Sequence, residues 1–282
     1  MFSTLTSLMH FAETGPTVHI VPNELFTIHG IPITNSMLYA WISGTLIVLF
    51  LVIVARMMTV RPRRGVIQIV EALTEFIVGM LENSFRSRKK ALQYAPYFVT
   101  IFFFVLLNNW LGLIPGIGEA VTYNSEPLLR PFTADLNGTL AVAVVTMVVV
   151  QHFAIKESGW KRHIRHYFAG SLVNPATWLF GLLEVFTEFT RVASLALRLF
   201  LNVVIGEIII AVFAYLGHLA APITSLPFVA LELFVGALQA YIFVTLSAAY
   251  LAVATQHGHE YEAEDEALEA TAASIKSVKS AK

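Results

Sequence analysis

The sequence predicts an all-α polytopic membrane protein with five membrane passes, the last two forming a long tilted hairpin, plus one interfacial amphipathic helix. Three observations carry that expectation. Of 282 residues, 56% are hydrophobic and only 13% charged, with a mean hydropathy of +0.70, whereas a soluble domain carries about 25% charged residues. The apolar residues gather in runs of about twenty or more, the length that crosses roughly 30 Å of hydrocarbon. The charges between the runs fall in blocks, basic at one end of each span and acidic or neutral at the other, which sets orientation. There is no cysteine, which excludes disulfides, thiolate catalysis and Cys-ligated metals.

Residues 1–35 contain Glu13 and Glu24 but no Lys or Arg. They lack the basic start of a cleaved signal peptide and are expected outside the cytoplasm. Residues 37–57 form the first span, followed at once by Arg56, Arg61, Arg63 and Arg64, with Arg86, Arg88, Lys89 and Lys90 closing the same segment. That segment, 58–93, is expected to be cytoplasmic. Within it, GVIQIVEALTEFIVGMLENSF has helical periodicity with Glu71, Glu75 and Glu82 on one side, the pattern of an interfacial helix.

The second span, 94–116, ends in Asn108, Asn109 and Trp110 before a Pro-Gly break. The loop that follows holds Glu119, Glu126 and a single basic residue, Arg130, and is placed outside. Residues 136–155 make the third span, opened by Asp135 and Asn137 and closed by Lys156, Lys161, Arg162 and Arg165. Residues 156–171 are therefore cytoplasmic.

From Asn174 to Leu219 the apolar pattern runs too long for one upright span. Two spans with a tight turn, or one steeply tilted helix, would accommodate it; the absence of Pro or a Gly pair in VFTEFTRVASLALRLFLNVV favours the tilted helix. Pro222 and Pro227 punctuate the next turn, and residues 228–254 supply the last span. The membrane domain thus covers 36–256, with the long two-helix hairpin at 174–256. The tail, 257–282, is polar and expected to be flexible and cytoplasmic; His257 and His259 within it read as solvated side chains, and no metal site or cofactor is expected.

The penultimate helix carries the most informative residue. Arg198 stands in an apolar stretch where an arginine at the bilayer centre costs about 3 kcal/mol on insertion scales, and a snorkelling arginine at a helix end is the plain alternative. At about 100° per residue, however, Glu184, Arg191, Ser194, Arg198 and Asn202 fall within a sector of about 80°, with Thr187 inside it and Glu188 beside it. Glu207, nine residues on, lies nearly opposite and suits a different aqueous route. On the final helix Glu232, Gln239 and Tyr250 share a face. Antiparallel packing of these two helices would bring Arg198 and Asn202 near Gln239, with Glu207 and Glu232 toward one aqueous side. Neutral amides can order water while a carboxyl exchanges a proton; the bland alternative is interhelical hydrogen bonds that hold a bundle together. Arg198 itself stays protonated, so it can gate a relay but cannot be its moving part.

SLALRLFLN with Glu207 downstream, LQAYIF around Gln239 and DLNGTLA from Asp135 resemble the a subunit of the F-type ATP synthase membrane sector, in a segment order that spans most of residues 35–256. The resemblance implies a proton-translocating stator subunit in a bacterial plasma (inner) membrane. It implies two half-channels leading to the carboxylates of a rotating c-subunit ring and separated by Arg198. Asn202 and Gln239 would surround the arginine, and Glu207 and Glu232 would stand in the aqueous route. Asn108, Asp135, Glu184, Glu188, Ser194 and Tyr250 are further candidate lining residues. Peripheral-stalk b subunits are implied partners; protons are the expected ion, with sodium the alternative the sequence leaves open. In some members of that family the position matching Glu232 is histidine; this chain has the acid there, and the small residue at Gly206, so that side of the route is expected to titrate differently.

A secondary cation/proton antiporter is the main rival, since it too uses intramembrane Glu and Arg, but it usually shows inverted repeats and a helix broken at midplane. Neither is visible. A haem protein using His152 and His166 fails because Lys156, Glu157, Lys161, Arg162 and Arg165 make that interval wet. No G-x-x-x-x-G-K-[ST] element exists to hold ATP phosphates, so no catalysis on ATP is expected within this chain. The basic clusters follow from topology and call for no nucleic acid.

Overall fold

The computed structural model describes residues 22–28, 31–57, 65–114, 118–123, 126–160 and 175–280. Helices make up its frame: α1 (Asn35–Met57), α2 (Val66–Phe85), α3 (Arg88–Gly112), α4 (Leu136–Ser158), α5 (Pro175–Gly217) and α6 (Ala221–Ser280). Five of them, all but α2, contain a stretch long and apolar enough to cross a membrane. The expected predominantly helical architecture, with five helices of membrane-spanning length, is therefore observed.

α3 is the interior helix. Half of its spanning window is buried, against 22–33% for the other four, and its Phe98, Phe102, Phe103, Val105 and Leu106 lie in the main core. Polar side chains fix its two ends. Ser87 is its N-cap, accepting from the Lys90 amide, and nearby Lys90 pairs with Glu157 of α4 at 3.4 Å. At the far end Asn109 Nδ2 donates to the Gly236 carbonyl and Trp110 Nε1 to the Leu233 carbonyl, at 3.3 and 3.0 Å. These two bonds tie α3 to the backbone of α6. α2 buries Val70, Ile77, Val78 and Leu81, one face at helical spacing, while Glu71 and Glu75 are exposed. It ends where Arg86 adopts a left-handed conformation at φ 51°.

Two small ribbons lie outside the helical expectation. β1 (Glu24–Ile28) pairs antiparallel with β2 (Ile31–Thr34), and β3 (Gly118–Tyr123) with β4 (Glu126–Leu129). Each is two-stranded, so Pro32 and Pro127 take ladder positions that no third strand needs as a donor. Their short β-branched segments, FTI and IPIT among them, are overshadowed in sequence by the long apolar runs beside them.

α5 is one unbroken helix of 43 residues, as preferred over two spans. At about 1.5 Å per residue it is about 65 Å long, roughly twice the hydrocarbon thickness. The chain reverses through a 3-10 turn at His218–Ala220, with His218 at φ 45°. Pro222 and Pro227, expected to mark the turn, fall inside α6 instead. Pro222 sits in the first turn, where its missing N–H has no intrahelical acceptor to lose; only Pro227 removes a helical bond.

α6 continues to Ser280, so the backbone of the polar tail is helical. Its EAEDEALEATAASIKS stretch is rich in Ala and Glu and free of Pro and Gly, which lets helix propagate from a formed helix without a new nucleus. The Pro-Gly break after α3 and most of the basic loop after α4 lie outside the described residues.

Candidate functional site

α5 and α6 pack along each other in antiparallel register. Near the turn Phe213 stacks on Phe228 at 3.8 Å, and Thr224 donates to the Phe213 carbonyl at 2.9 Å. Further along, the Glu232 carboxyl fills the place where a Cβ on Gly206 would stand, and at the far end the Arg191 guanidinium lies 5.1 Å over the Tyr250 ring. The same register sets Asn202 opposite Gln239 and Arg198 about one turn further on.

At this centre Arg198 is half-buried and its Nη2 donates to Ser194 Oγ at 3.4 Å. The buried Nη1 of Arg198, Nδ2 of Asn202 and Nε2 of Gln239 have no hydrogen-bond partner among the described residues. Three donors left over on facing helices are costly in a packed interior. Interhelical hydrogen bonding within the bundle does not satisfy them.

Glu184 and Glu188 stand toward the opposite end from the turn, Glu184 about 21 Å before Arg198 along the helix. Glu188 Oε1 accepts from Arg191 Nη1 at 2.6 Å. Tyr250 joins this pair through its ring, so Glu188, Arg191 and Tyr250 form one cluster across α5 and α6. Ser194 is exposed and lies between the cluster and Arg198. Asn108 is not brought to the centre: it is fully buried and its Nδ2 bonds the Phe104 carbonyl of its own helix at 2.8 Å.

The carboxylates Glu207 and Glu232 meet toward the α5–α6 turn. Glu207 lies about 14 Å along α5 from Arg198, within Coulombic reach of Glu232, Arg130 and Tyr39. The loop before α4 packs over this turn of α5, where Ala134 joins Val203, Val204, Phe200 and Ile208 in a small apolar cluster. Asp135 caps α4 through the Asn137 amide at 3.0 Å and accepts a short hydrogen bond from Ser36 of α1. Arg130 is 6% exposed and its Nη2 donates to the Ala134 carbonyl at 2.9 Å. Burial lowers the affinity of the Arg130 guanidinium for its proton, and the Glu207 and Asp135 carboxylates oppose that effect; arginine stays charged regardless.

The sequence reading placed Asp135 among the candidates but not Arg130, Ser36 or Tyr39. One signal was available for Arg130: it is the lone basic residue of an otherwise acidic or neutral loop. Ser36 and Tyr39 carry no such mark, because a hydroxyl near a helix start is ordinary.

Residues 37–252 match the model of the family described as ATP synthase A chain. The chain is 32% identical over 241 residues to the ATP synthase subunit a of Moorella thermoacetica, covering 86% of this chain and 99% of that one. It is 34% identical over 254 residues to ATP synthase subunit a 2 of Chlorobaculum tepidum, covering 83% and 67%, and 33% identical over 274 residues to that of Prosthecochloris aestuarii, covering 92% and 79%. A family match over residues 37–252, which takes in nearly the whole of all five spans, together with relatives 32–34% identical over most of the chain, makes this chain a member of the ATP synthase subunit a family.

Proposed function

We propose that this chain is the proton-translocating stator subunit of a rotary ATP synthase in a bacterial plasma membrane, with Arg198 separating two half-channels that lead to the carboxylates of a c-subunit ring. The observation that carries this reading is the half-buried Arg198 of α5, with its own Nη1 and the amides of Asn202 on α5 and Gln239 on α6 without hydrogen-bond partners among the described residues. A permanent cation there attracts each passing ring carboxylate and forces it to ionise, since an opposite charge within about 4–6 Å favours the charged form. The carboxylate gives up its proton to one half-channel and is reprotonated from the other. Arg198 blocks direct flow between them because it does not release its own proton.

Glu207 and Glu232 serve the outer route and exchange protons with water there. Glu184, Glu188 and Ser194 line the cytoplasmic approach, and Asp135 and Asn108 support the outer side. In this assembly residues 1–35 and 117–134 face outward, 58–93, 156–171 and 257–282 face the cytoplasm, α2 lies in the interface, and the 43-residue α5 crosses at a steep tilt against the ring. Peripheral-stalk b subunits contact the remaining spans. ATP is handled by other subunits.

Cross-linking in the assembled complex tests the placement, and the cysteine-free chain permits it directly. Ser194→Cys, exposed on the Arg198 face, is expected to form a disulfide with a cysteine introduced beside the ring carboxylate. A verified complex that never cross-links there, or cation-dependent exchange by the isolated chain as an antiporter requires, contradicts the proposal.

A further inference from the structure

Asn109 and Trp110, near the end of α3, grip the stretch of α6 that carries Glu232 and Gln239. Asn109 Nδ2 donates to the Gly236 carbonyl at 3.3 Å and Trp110 Nε1 to the Leu233 carbonyl at 3.0 Å. A helical carbonyl has a second lone pair to offer, so neither bond has to break α6. Both acceptors belong to the backbone and stand three residues, about 4.5 Å, apart along the helix. Two such anchors oppose sliding of the helix and turning about its axis. The approach is close as well: a Cβ at Gly236 would lie 3.2 Å from the Asn109 Cβ. Leu233 adjoins Glu232, and Gly236 lies three residues before Gln239; at 100° per residue Glu232, Gly236 and Gln239 share a sector of about 60°. α5 meets the same stretch from its own side, where the Glu232 carboxyl takes the place of a Cβ on Gly206. Between the turn and this stretch stands Pro227, inside α6. A proline removes a helical bond and is a point where a helix bends, so the geometry of the turn alone does not fix Glu232 and Gln239.

We infer that Asn109 and Trp110 are positioning residues for the proposed proton route: they set the height and rotation of α6, and so hold Glu232 against Gly206 and Gln239 opposite Asn202. The inference rests on the reading of that face of α6 as part of the route. The margin is small. A rotation of about 10° carries a side-chain end about 5 Å from the axis through about 1 Å, and a displacement of that size can cost as much as about a hundredfold in rate. Trp110 is 39% exposed, and a tryptophan at a membrane surface also serves as an interfacial anchor. An anchor needs an aromatic ring at that depth, whereas the clamp needs the indole N–H aimed at Leu233. Trp110→Phe separates the two.

The cysteine-free chain allows the register to be read by disulfide formation in the assembled enzyme in membrane vesicles, with assembly quantified by subunit content. Gly206→Cys/Glu232→Cys reports the clamped stretch. Gly217→Cys/Thr224→Cys reports the turn, on the other side of Pro227, where a Cβ at 217 lies 3.1 Å from the Thr224 Cβ. Asn109→Leu/Trp110→Phe removes both donors and keeps apolar bulk. It is expected to lower the 206–232 disulfide yield roughly tenfold and to leave the 217–224 yield unchanged. Without the introduced cysteines, the same variant should slow ATP-driven proton pumping on the order of tenfold with assembly retained. Gly236→Ala, whose Cβ presses on Asn109, should act in the same direction more weakly. An unchanged 206–232 yield, or equal losses in the two pairs, overturns the inference. If the double variant fails to assemble, Trp110→Phe alone should still lower the 206–232 yield roughly threefold; a parent yield there is equally contrary. A lowered yield with full pumping removes the role of the Glu232–Gln239 face in proton passage, on which the inference rests, whereas an unchanged yield removes the clamp itself.

Discussion

The middle of the α5–α6 pair and its end at the turn are both polar, but they are built from different chemistry. In the middle stand one arginine and two neutral amides, Arg198, Asn202 and Gln239, with donor atoms that find no internal acceptor. Toward the α5–α6 turn stand two carboxylates, Glu207 and Glu232, with Arg130 and Tyr39 within electrostatic reach of Glu207 and the Ser36–Asp135 hydrogen bond beside the loop that carries Arg130. The middle has permanent charge, and among the described residues its one side-chain hydrogen bond runs from Arg198 to Ser194. The end at the turn has two carboxyl groups and a guanidinium near them. Under the proposed function the first composition suits a barrier to protons and the second suits exchange of protons with water.

Deleting the acids at the turn should have the larger effect on that end. Glu207→Gln/Glu232→Gln is expected to slow ATP-driven proton pumping on the order of tenfold or more, to alter its pH profile, and to leave assembly largely intact. Vesicle acidification and the amount of assembled complex read both quantities. An unchanged rate and profile in the double variant would remove the distinction between the two regions.

A smaller effect is expected from displacing one acid without deleting it. Gly206 is the position against which the Glu232 carboxyl rests, and a Cβ at 206 cannot coexist with the carboxyl as it is placed. The obstructing atoms are the far end of a flexible side chain, so Gly206→Val should be accommodated by a swing of Glu232 at little expense in stability. Pumping should fall severalfold with assembly retained, because a group moved by about 1 Å loses much of its effect. The same substitution in a Glu232→Gln background should cost less. Equal losses in both backgrounds would mean that Gly206 acts through packing alone.

How much of this was legible in the sequence differs between the two regions for a physical reason. The middle is made of residues that share one helix or its neighbour in the chain, so the 3.6-residue period placed Arg198, Ser194 and Asn202 on one stripe, and a short turn made antiparallel pairing with Gln239 the natural partner. The five spans were legible for the same reason, since length and apolarity are local properties. The end at the turn is assembled from α1, the loop before α4, α5 and α6. Periodicity along one helix carries no information about which loop covers it, and Arg130 was visible only as an odd charge in an acidic segment. The ribbons at 24–34 and 118–129 were missed because four- to six-residue strands give a weak pattern beside spans of twenty residues and more. Pro222 was misread as a breaker because a proline in a first helical turn and a proline in a loop look alike in sequence.

The separation of roles is tested most directly at Arg198. ATP-driven proton pumping, passive proton conductance and assembly should be measured together in vesicles carrying Arg198→Ala, because loss of pumping alone also follows from misfolding. The expected result is an assembled complex, confirmed by its subunit content, that no longer couples ATP turnover to proton movement, with Arg198→Lys failing or nearly failing for want of the delocalised and undeprotonated guanidinium. Normal proton pumping by a verified Arg198→Ala complex would contradict the account at its centre.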